Sequence, residues 1–148
     1  MGPRPAFSMT VASVVLAASA AFAQQGAADG EWRSFAGDLG STKYSALDQI
    51  DADNFSDLEV AWRFKTESLG PRPEFIFQST PLMVDGVLYT TAGTRRAAVA
   101  IDAETGEMLW VHRLNEGERG AGAPRRLSGR GLTYWDDGAD GGIFYVTP

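Results

Sequence analysis

The sequence contains no cysteine, and His112 is its only histidine. The absence of cysteine excludes a disulfide, a thiolate metal site and a C-x-x-C-H haem attachment within these 148 residues. His112 has no second histidine or carboxylate at ligand spacing, so it is better explained as a surface or packing residue than as a metal ligand. The stability of the folded chain therefore has to come from packing.

The chain also lacks an excess of positive charge. Its formal net charge is -6, and hydrophobic residues make up 44% of it against 22% charged residues. This balance is normal for a folded globular domain. We therefore do not expect nucleic acid as the main partner.

No hydrophobic run reaches the length of a strongly apolar membrane span. The run Val11–Phe22 is interrupted by two serines and is shorter than the roughly 20 apolar residues that a spanning helix needs. It follows Arg4 and closes on Ala21-Phe22-Ala23, which fits a signal-peptide cleavage site before Gln24. We expect residues 1–23 to be a secretory signal peptide and the mature chain to be exported to a bacterial periplasm; an uncleaved anchor is the alternative.

Turn signals and alternating hydrophobic residues predict four short strands in succession. Asp85-Gly86 is a strong two-residue hairpin turn, and Glu104-Thr105-Gly106 marks a second turn. Short connections between the strands predict a four-stranded antiparallel meander, which is the content of one blade of a β-propeller. The predicted strands are Thr80–Val84, Val87–Ala92, Ala98–Asp102 and Met108–Leu114.

The stretch Ala100–Trp110 has the pattern Ala-x-Asp-x-x-Thr-Gly-x-x-x-Trp. A blade is a short twisted sheet that cannot cover both of its faces alone, so we expect Trp110 to fill the gap between neighbouring blades. The alternative is an ordinary hairpin with a tryptophan in its core.

Further strand patterns lie on both sides of this unit. Leu58–Thr66 alternates apolar and polar residues and is predicted to be a strand that completes the last blade of a closed ring. Gly142–Thr147 repeats the pattern of Gly86–Thr91, which indicates the start of a second blade. The predicted fold of residues 24–148 is therefore all-β: the closing strand, one blade and the start of the next, from the front of a longer propeller.

Several short motifs occur in a fixed order along the mature chain. They are Trp32 with Phe35-Ala36-Gly37-Asp38, Lys43-Tyr44-Ser45, Leu58 with Val60-Ala61-Trp62, Thr80-Pro81-Leu82, the Ala100–Trp110 pattern, and Arg130-Gly131-Leu132 with Tyr134-Trp135. In this order they resemble the N-terminal region of the pyrroloquinoline quinone (PQQ) dependent dehydrogenases. The likeness is greatest to the glucose and alcohol dehydrogenase branch, whose catalytic domain is an eight-bladed propeller with PQQ on its axis above a calcium ion.

The resemblance implies cofactor contacts at two positions. Arg130 matches the family arginine that hydrogen-bonds PQQ, and a planar, always charged donor suits a tricarboxylate. Gln78 stands where many relatives have a glutamate that touches the edge of the quinone; it keeps the hydrogen-bonding capacity but not the charge. Methanol-oxidising relatives carry adjacent cysteines where this chain has Pro124 and Arg125, which favours the sugar or broader alcohol branch.

The implied activity is that of a periplasmic quinoprotein dehydrogenase, which oxidises a CH-OH group of a sugar or alcohol. Electrons would pass to ubiquinone or cytochrome c, and membrane contact would come only through that acceptor. The catalytic base and the calcium ligands are expected beyond Pro148, so no catalytic residue or metal ligand is named in this chain. Asp136–Gly142 lacks the order of a calcium loop and is predicted to be a polar hairpin loop.

A protein of another class remains as an alternative at this point. Exported propeller scaffolds of the outer-membrane assembly type are not catalytic, yet they share the Ala100–Trp110 pattern. The lead-in from Trp32 to Leu47 and the motif around Arg130 favour the enzyme.

Overall fold

The computed structural model describes residues 26–70, 77–94, 96–123 and 131–147. The predicted signal peptide and Arg130 lie outside the described residues. Gln78 lies within them.

A four-stranded antiparallel sheet forms the centre of the structure. Its strands are β1 (Leu82–Val84), β2 (Val87–Ala92), β3 (Ala97–Asp102) and β4 (Met108–His112), and they pair in chain order. This confirms the predicted meander, with boundaries that differ by at most two residues.

The turn between β1 and β2 has the predicted hairpin geometry. Asp85 has φ 49° and Gly86 has φ 78°. Two consecutive positive φ values are required by the type I′ turn, whose twist matches that of the flanking strands. The register therefore pairs Val84 with Val87 directly across the turn.

A second hairpin follows the sheet. Its strands β5 (Thr133–Asp136) and β6 (Gly141–Phe144) pair antiparallel, so the predicted repeat does begin another sheet, although its strand ends at Phe144. The connecting loop uses the carboxylate of Asp137, which accepts hydrogen bonds from the backbone N–H groups of Ala139 (3.0 Å) and Asp140 (2.9 Å). These bonds make the loop the polar hairpin turn that the sequence predicts.

Both faces of the central sheet are covered, which explains why every residue from Ala97 to Ile101 in β3 is buried. One face packs on the segment that precedes the sheet; this cluster consists of Leu69, Ala92, Ala97, Val99 and Ile101, with Trp62, Phe64, Leu88 and Val111 at its edge. The other face packs on the second hairpin; this cluster consists of Leu82, Ala98 and Leu132, with Tyr89, Tyr134, Ile143 and Tyr145 around it. A blade-like sheet between two neighbours is the result.

The segment Leu58–Thr66 has no regular secondary structure among the described residues; the last blade that it is predicted to complete is not part of this chain, so the closing strand stays a prediction. Its alternation still has a packing role, since Trp62 and Phe64 are half-buried against the sheet while Leu58 and Val60 are exposed. A strand needs a ladder partner for its backbone groups, and the described residues provide none here. The pattern identified the inward side chains but not the state of the backbone.

Short helical elements complete the described part of the chain. Phe55–Asp57 and Glu67–Leu69 are 3-10 turns, and α1 (Gly117–Gly122) is a six-residue helix that the all-β prediction did not include. None of the helices within the described ranges has the length and apolar character needed to cross a bilayer.

Candidate functional site

The start of the second hairpin crosses the chain just before β1. Gly131 has φ +117°, and a Cβ atom at this position would lie 3.7 Å from the backbone nitrogen of Thr80 and 3.8 Å from Oγ of Ser79. A methyl group added at Gly131 would therefore make ordinary van der Waals contact with Ser79 and Thr80, so Gly131 lies close to this segment. Arg130 precedes Gly131 and Gln78 precedes Ser79, so the fold brings together the positions next to both predicted cofactor contacts.

Of the two predicted cofactor contacts, the structure describes one. Gln78 is exposed and directly precedes Ser79. Arg130 lies outside the described residues and stays a prediction from sequence. The described residues that lie close together here are Gly131 and Ser79, and the sequence analysis did not single out Ser79.

A pair of hydroxyl groups joins Ser79 to the central sheet. Ser79 Oγ and Thr90 Oγ1 are 3.0 Å apart, and Thr90 Oγ1 donates a further, longer hydrogen bond of 3.3 Å to the carbonyl oxygen of Thr91. Thr90 belongs to β2 and is buried. The segment before β1 is thus attached to β2 by a side-chain hydrogen bond as well as by the strand ladder.

A cleft of about 500 Å³ opens beside Gly131. Its walls are mainly apolar, with the threonines of β5 and of the segment before β1 as polar groups. It is lined by Phe35, Thr80, Gly131, Leu132, Thr133, Phe144, Tyr145 and Val146.

Arg33 joins three separate segments at another point of the structure. Its guanidinium contacts Glu31 Oε2 (2.9 Å), Asp85 Oδ1 (3.0 Å) and Asp136 Oδ2 (3.2 Å) through a different nitrogen in each case. It also lies over the ring of Tyr134, 5.5 Å from the ring centroid. Burial alone would lower the pKa of Arg33, but the hydrogen bond to Glu31 and the neighbouring carboxylates raise it, so the cation is maintained.

An aromatic row connects the central sheet to the second hairpin. The rings of Trp110 and Tyr89 are 5.9 Å apart, and those of Tyr89 and Tyr134 are 6.5 Å apart and stacked. Trp110 is 40% exposed within the part of the chain that the structure describes, and its role in filling a gap between neighbouring blades stays a prediction. Burial, with the nearby Tyr134 and Asp85, raises the pKa of Tyr89 and keeps its phenol neutral.

His112 also contributes to this junction. Its ring meets that of Tyr145 edge to face at a centroid distance of 6.2 Å. This contact agrees with the packing role that the sequence suggested. Across the described ranges there is no cluster of three or more histidine or acidic side chains that could hold a metal ion.

These features define the class of protein. A four-stranded antiparallel meander whose two faces pack on neighbouring units is a blade of a β-propeller, here followed by the first hairpin of the next. Residues 32–148 match the β-propeller domain of the PQQ-dependent glucose/ethanol/alcohol dehydrogenases, and the chain belongs to this family.

Curated relatives agree with the family and also show how short the chain is. It is 37% identical to the quinohemoprotein alcohol dehydrogenase of Comamonas testosteroni over 82 residues, which are 55% of this chain and 11% of that protein. It is 32% identical to the dehydrogenase subunit of the alcohol dehydrogenase (quinone) of Gluconobacter oxydans over 111 residues, which are 72% of this chain and 14% of that protein. The chain thus spans a small part of the relatives that it matches.

Solved structures show the same correspondence. The crystal structure of the Comamonas testosteroni enzyme aligns with a TM-score of 0.60 and 31% identity, over 71% of this chain and 15% of that chain. A europium-containing methanol dehydrogenase aligns with a TM-score of 0.63 and 27% identity, over 80% of this chain and 19% of that chain. The sheet and hairpin therefore have the arrangement of one portion of a PQQ dehydrogenase propeller.

Proposed function

We propose that this chain is part of a periplasmic dehydrogenase that oxidises the CH-OH group of an alcohol or sugar with PQQ and passes electrons to a quinone or cytochrome c. The observation that carries the proposal is the family match over residues 32–148. Relatives named as alcohol dehydrogenases that use a quinone or cytochrome c support an alcohol as the substrate class.

The two residues that the resemblance assigns to the cofactor suit PQQ chemically. Gln78 is exposed, and its amide can both donate and accept hydrogen bonds. Arg130 supplies a planar fork of donors that pairs with carboxylates through two parallel bonds. When bound, PQQ would supply the redox chemistry by taking two electrons from the CH-OH carbon, with calcium as its companion ion. In this chain the role of Gln78 and Arg130 is to bind and orient the cofactor; the base and the calcium ligands belong to other parts of the protein.

Reconstitution of the protein expressed from the complete reading frame tests the proposal. The apoprotein is incubated with PQQ and Ca²⁺, and dye reduction is measured with a series of alcohols and with glucose. We expect dye reduction that requires PQQ and is faster with alcohols. Neither binding of PQQ nor turnover of any of these substrates would favour the alternative of a non-catalytic exported scaffold.

Two substitutions test the proposed contact between Arg130 and PQQ. Arg130→Ala should weaken PQQ retention by one to two orders of magnitude, since a charge-assisted bidentate pair is lost. Arg125→Ala is the matched control, because this nearby arginine is expected to be solvated. Equal PQQ retention in the two variants would remove Arg130 from the site.

Export is tested separately. Residues 1–23 are proposed to be removed by signal peptidase, so the intact mass of the periplasmic protein should correspond to a chain that starts at Gln24. A mass that includes residues 1–23 would instead indicate an uncleaved anchor.

A further inference from the structure

Segment 31–33 lies on the free edge of β1, which is an edge strand of the central sheet and has three residues. Hydrogen-bonded pairs alternate along an antiparallel ladder, so the middle residue, Met83, directs its backbone N–H and C=O away from β2. The N–H of Trp32 donates to the carbonyl oxygen of Met83 (2.9 Å), and the N–H of Met83 donates to the carbonyl oxygen of Trp32 (3.1 Å). One antiparallel bridge therefore satisfies this edge.

The side chains on both sides of Trp32 converge on the turn between β1 and β2. Glu31 and Arg33 are two residues apart, so an extended chain places them on the same side. Glu31 Oε1 accepts a hydrogen bond from the backbone N–H of Asp85 (2.9 Å). Arg33 contacts the carboxylate of Asp85 at 3.0 Å, and its Nε donates to Glu31 Oε2 at 2.9 Å. Three charged groups thus reinforce a bridge that has only two backbone hydrogen bonds.

Arg33 also reaches the second hairpin. Another nitrogen of its guanidinium contacts Asp136 Oδ2 at 3.2 Å, and the group lies over the ring of Tyr134. One cation is therefore shared by three carboxylates, which come from segment 31–33, from the β1–β2 turn and from β5. Removal of this cation would leave three negative charges close together, and like charges at such distances repel each other.

We propose that Arg33 is an ionic latch, which holds segment 31–33 on the edge of β1 and joins the second hairpin to the same point. The side chain of Arg33 is 41% exposed, so dissolved salt screens its ion pairs. The central sheet is held by the two buried clusters on its faces and does not depend on this network. Screening or loss of the charge therefore opens the edge of β1 locally and leaves the sheet folded.

Site-resolved hydrogen exchange of the protein expressed from the complete reading frame tests the latch. The amides of Trp32 and Met83 report on the bridge, and the amide of Val99 in the buried strand β3 reports on the sheet. Arg33→Met removes the charge and keeps an unbranched apolar side chain. We expect it to accelerate exchange at both bridge amides about threefold to thirtyfold, the combined effect of several exposed ion pairs, and at Val99 by less than about twofold.

Salt and matched variants identify the charge as the cause. Addition of 1 M NaCl, where the Debye length is about 3 Å, should accelerate exchange at Trp32 in the unchanged protein and have less effect in Arg33→Met. Arg33→Lys keeps a charge without the planar fork of donors, so its exchange rate should be intermediate. Arg63→Met makes the same chemical change at an exposed arginine that takes part in none of the ion pairs among the described residues. It should leave exchange at the bridge amides unchanged.

A substitution on the second hairpin tests whether Arg33 joins the two units. Asp136 lies in β5 and contacts segment 31–33 through Arg33. Asp136→Asn should accelerate exchange at Trp32 by up to about fivefold, the effect of one exposed ion pair. In the Arg33→Met background the same substitution should have no further effect, because the contact is already lost. An equal acceleration in both backgrounds would show that the second hairpin is not joined through Arg33.

Three further results would overturn the latch. The first is exchange at Trp32 that is the same in Arg33→Met as in the unchanged protein. The second is equal acceleration at Trp32 and Val99, which would indicate a general loss of stability. The third is exchange at Trp32 in the unchanged protein that does not respond to salt. This last measurement needs no variant, so it decides the question if Arg33→Met does not fold.

Discussion

The indole of Trp62 lies directly on Gly106. A Cβ atom on Gly106 would be 2.6 Å from Cγ and Cδ2 of Trp62, and the indole Nε1 donates a hydrogen bond of 3.0 Å to the carbonyl oxygen of Ala103. Gly106 has φ +75°. The glycine of the Ala100–Trp110 pattern therefore has two functions, since it permits the turn and it makes room for a tryptophan from the preceding segment.

Substitution of this glycine should be costly for both reasons. Gly106→Ala should destabilise the protein by about 2–4 kcal/mol, from positive-φ strain and from displacement of the indole. Gly86→Ala is a matched control, because Gly86 has a similar φ of 78° but nothing within 4 Å of the added methyl; it should cost only about 1 kcal/mol. Chemical denaturation measures the free energy of unfolding of both variants. Equal losses would mean that the contact with Trp62 has no energetic role.

The junction between the sheet and the second hairpin depends on Leu82. This side chain is 0% exposed and packs with Leu132. Leu82→Ala should reduce the free energy of unfolding by about 2–5 kcal/mol, through lost burial and a residual cavity. Leu39→Ala makes the same chemical change at a side chain that is 100% exposed. We expect little effect there, and a loss at Leu39 as large as that at Leu82 would contradict the packing described.

The turn after β3 should make stability depend on pH. The backbone N–H of Thr105, followed by the hydroxyl of the same residue, lowers the pKa of Asp102. A carboxylate with a lowered pKa in the folded state stabilises the fold above its unfolded-state pKa, and this contribution is lost as the pH falls through the folded-state value. We therefore expect the melting temperature to decrease when the pH is lowered below about 4.

The variant Asp102→Asn identifies the source of this dependence. An asparagine can still accept the Thr105 hydrogen bonds but does not titrate, so the acid-induced decrease should become smaller. It should not vanish, because hydrogen bonds also lower the pKa of Asp38 and of Asp137. An unchanged decrease below about pH 4 would count against the assignment to Asp102.

The contact between Arg33 and Asp136 should be weak and sensitive to salt. The side chain of Arg33 is 41% exposed, and exposed ion pairs of this kind contribute about 0.2–1 kcal/mol. A double-mutant cycle with Arg33→Met and Asp136→Asn should give a coupling energy in this range at low ionic strength and less in 1 M salt, where the Debye length is about 3 Å. A coupling that does not change with salt would show that packing on Tyr134 dominates.

Much of the fold could be predicted from local sequence signals. Asp85-Gly86 specified a type I′ turn, and the hairpin that it predicts has the expected register, because that turn admits few residue pairs. The alternation around Val99 and the repeat at Gly142–Thr147 likewise identified real strands. In contrast, the alternation at Leu58–Thr66 predicted a strand that the described residues do not form, since a ladder depends on a partner that local sequence does not specify.

Only part of the candidate site could be predicted from the sequence. The resemblance named Gln78 and Arg130 by position in a motif, but it gave no reason to single out Ser79 or Thr90. Serine and threonine are common on strands and turns, and the 3.0 Å bond between them exists only because the chain before β1 lies along β2. Arg33 was missed for the same reason, as its three carboxylates come from separate segments.

The sequence by itself determined the order of strands and turns, because these depend on neighbours within a few residues: backbone φ preferences, alternating hydrophobicity and the absence of cysteine. The tertiary structure alone decided which side chains meet. Trp62 on Gly106 and Tyr89 on Tyr134 are contacts between distant segments. They arise when each face of the sheet is withdrawn from water against the next unit, and no local pattern encodes the partner.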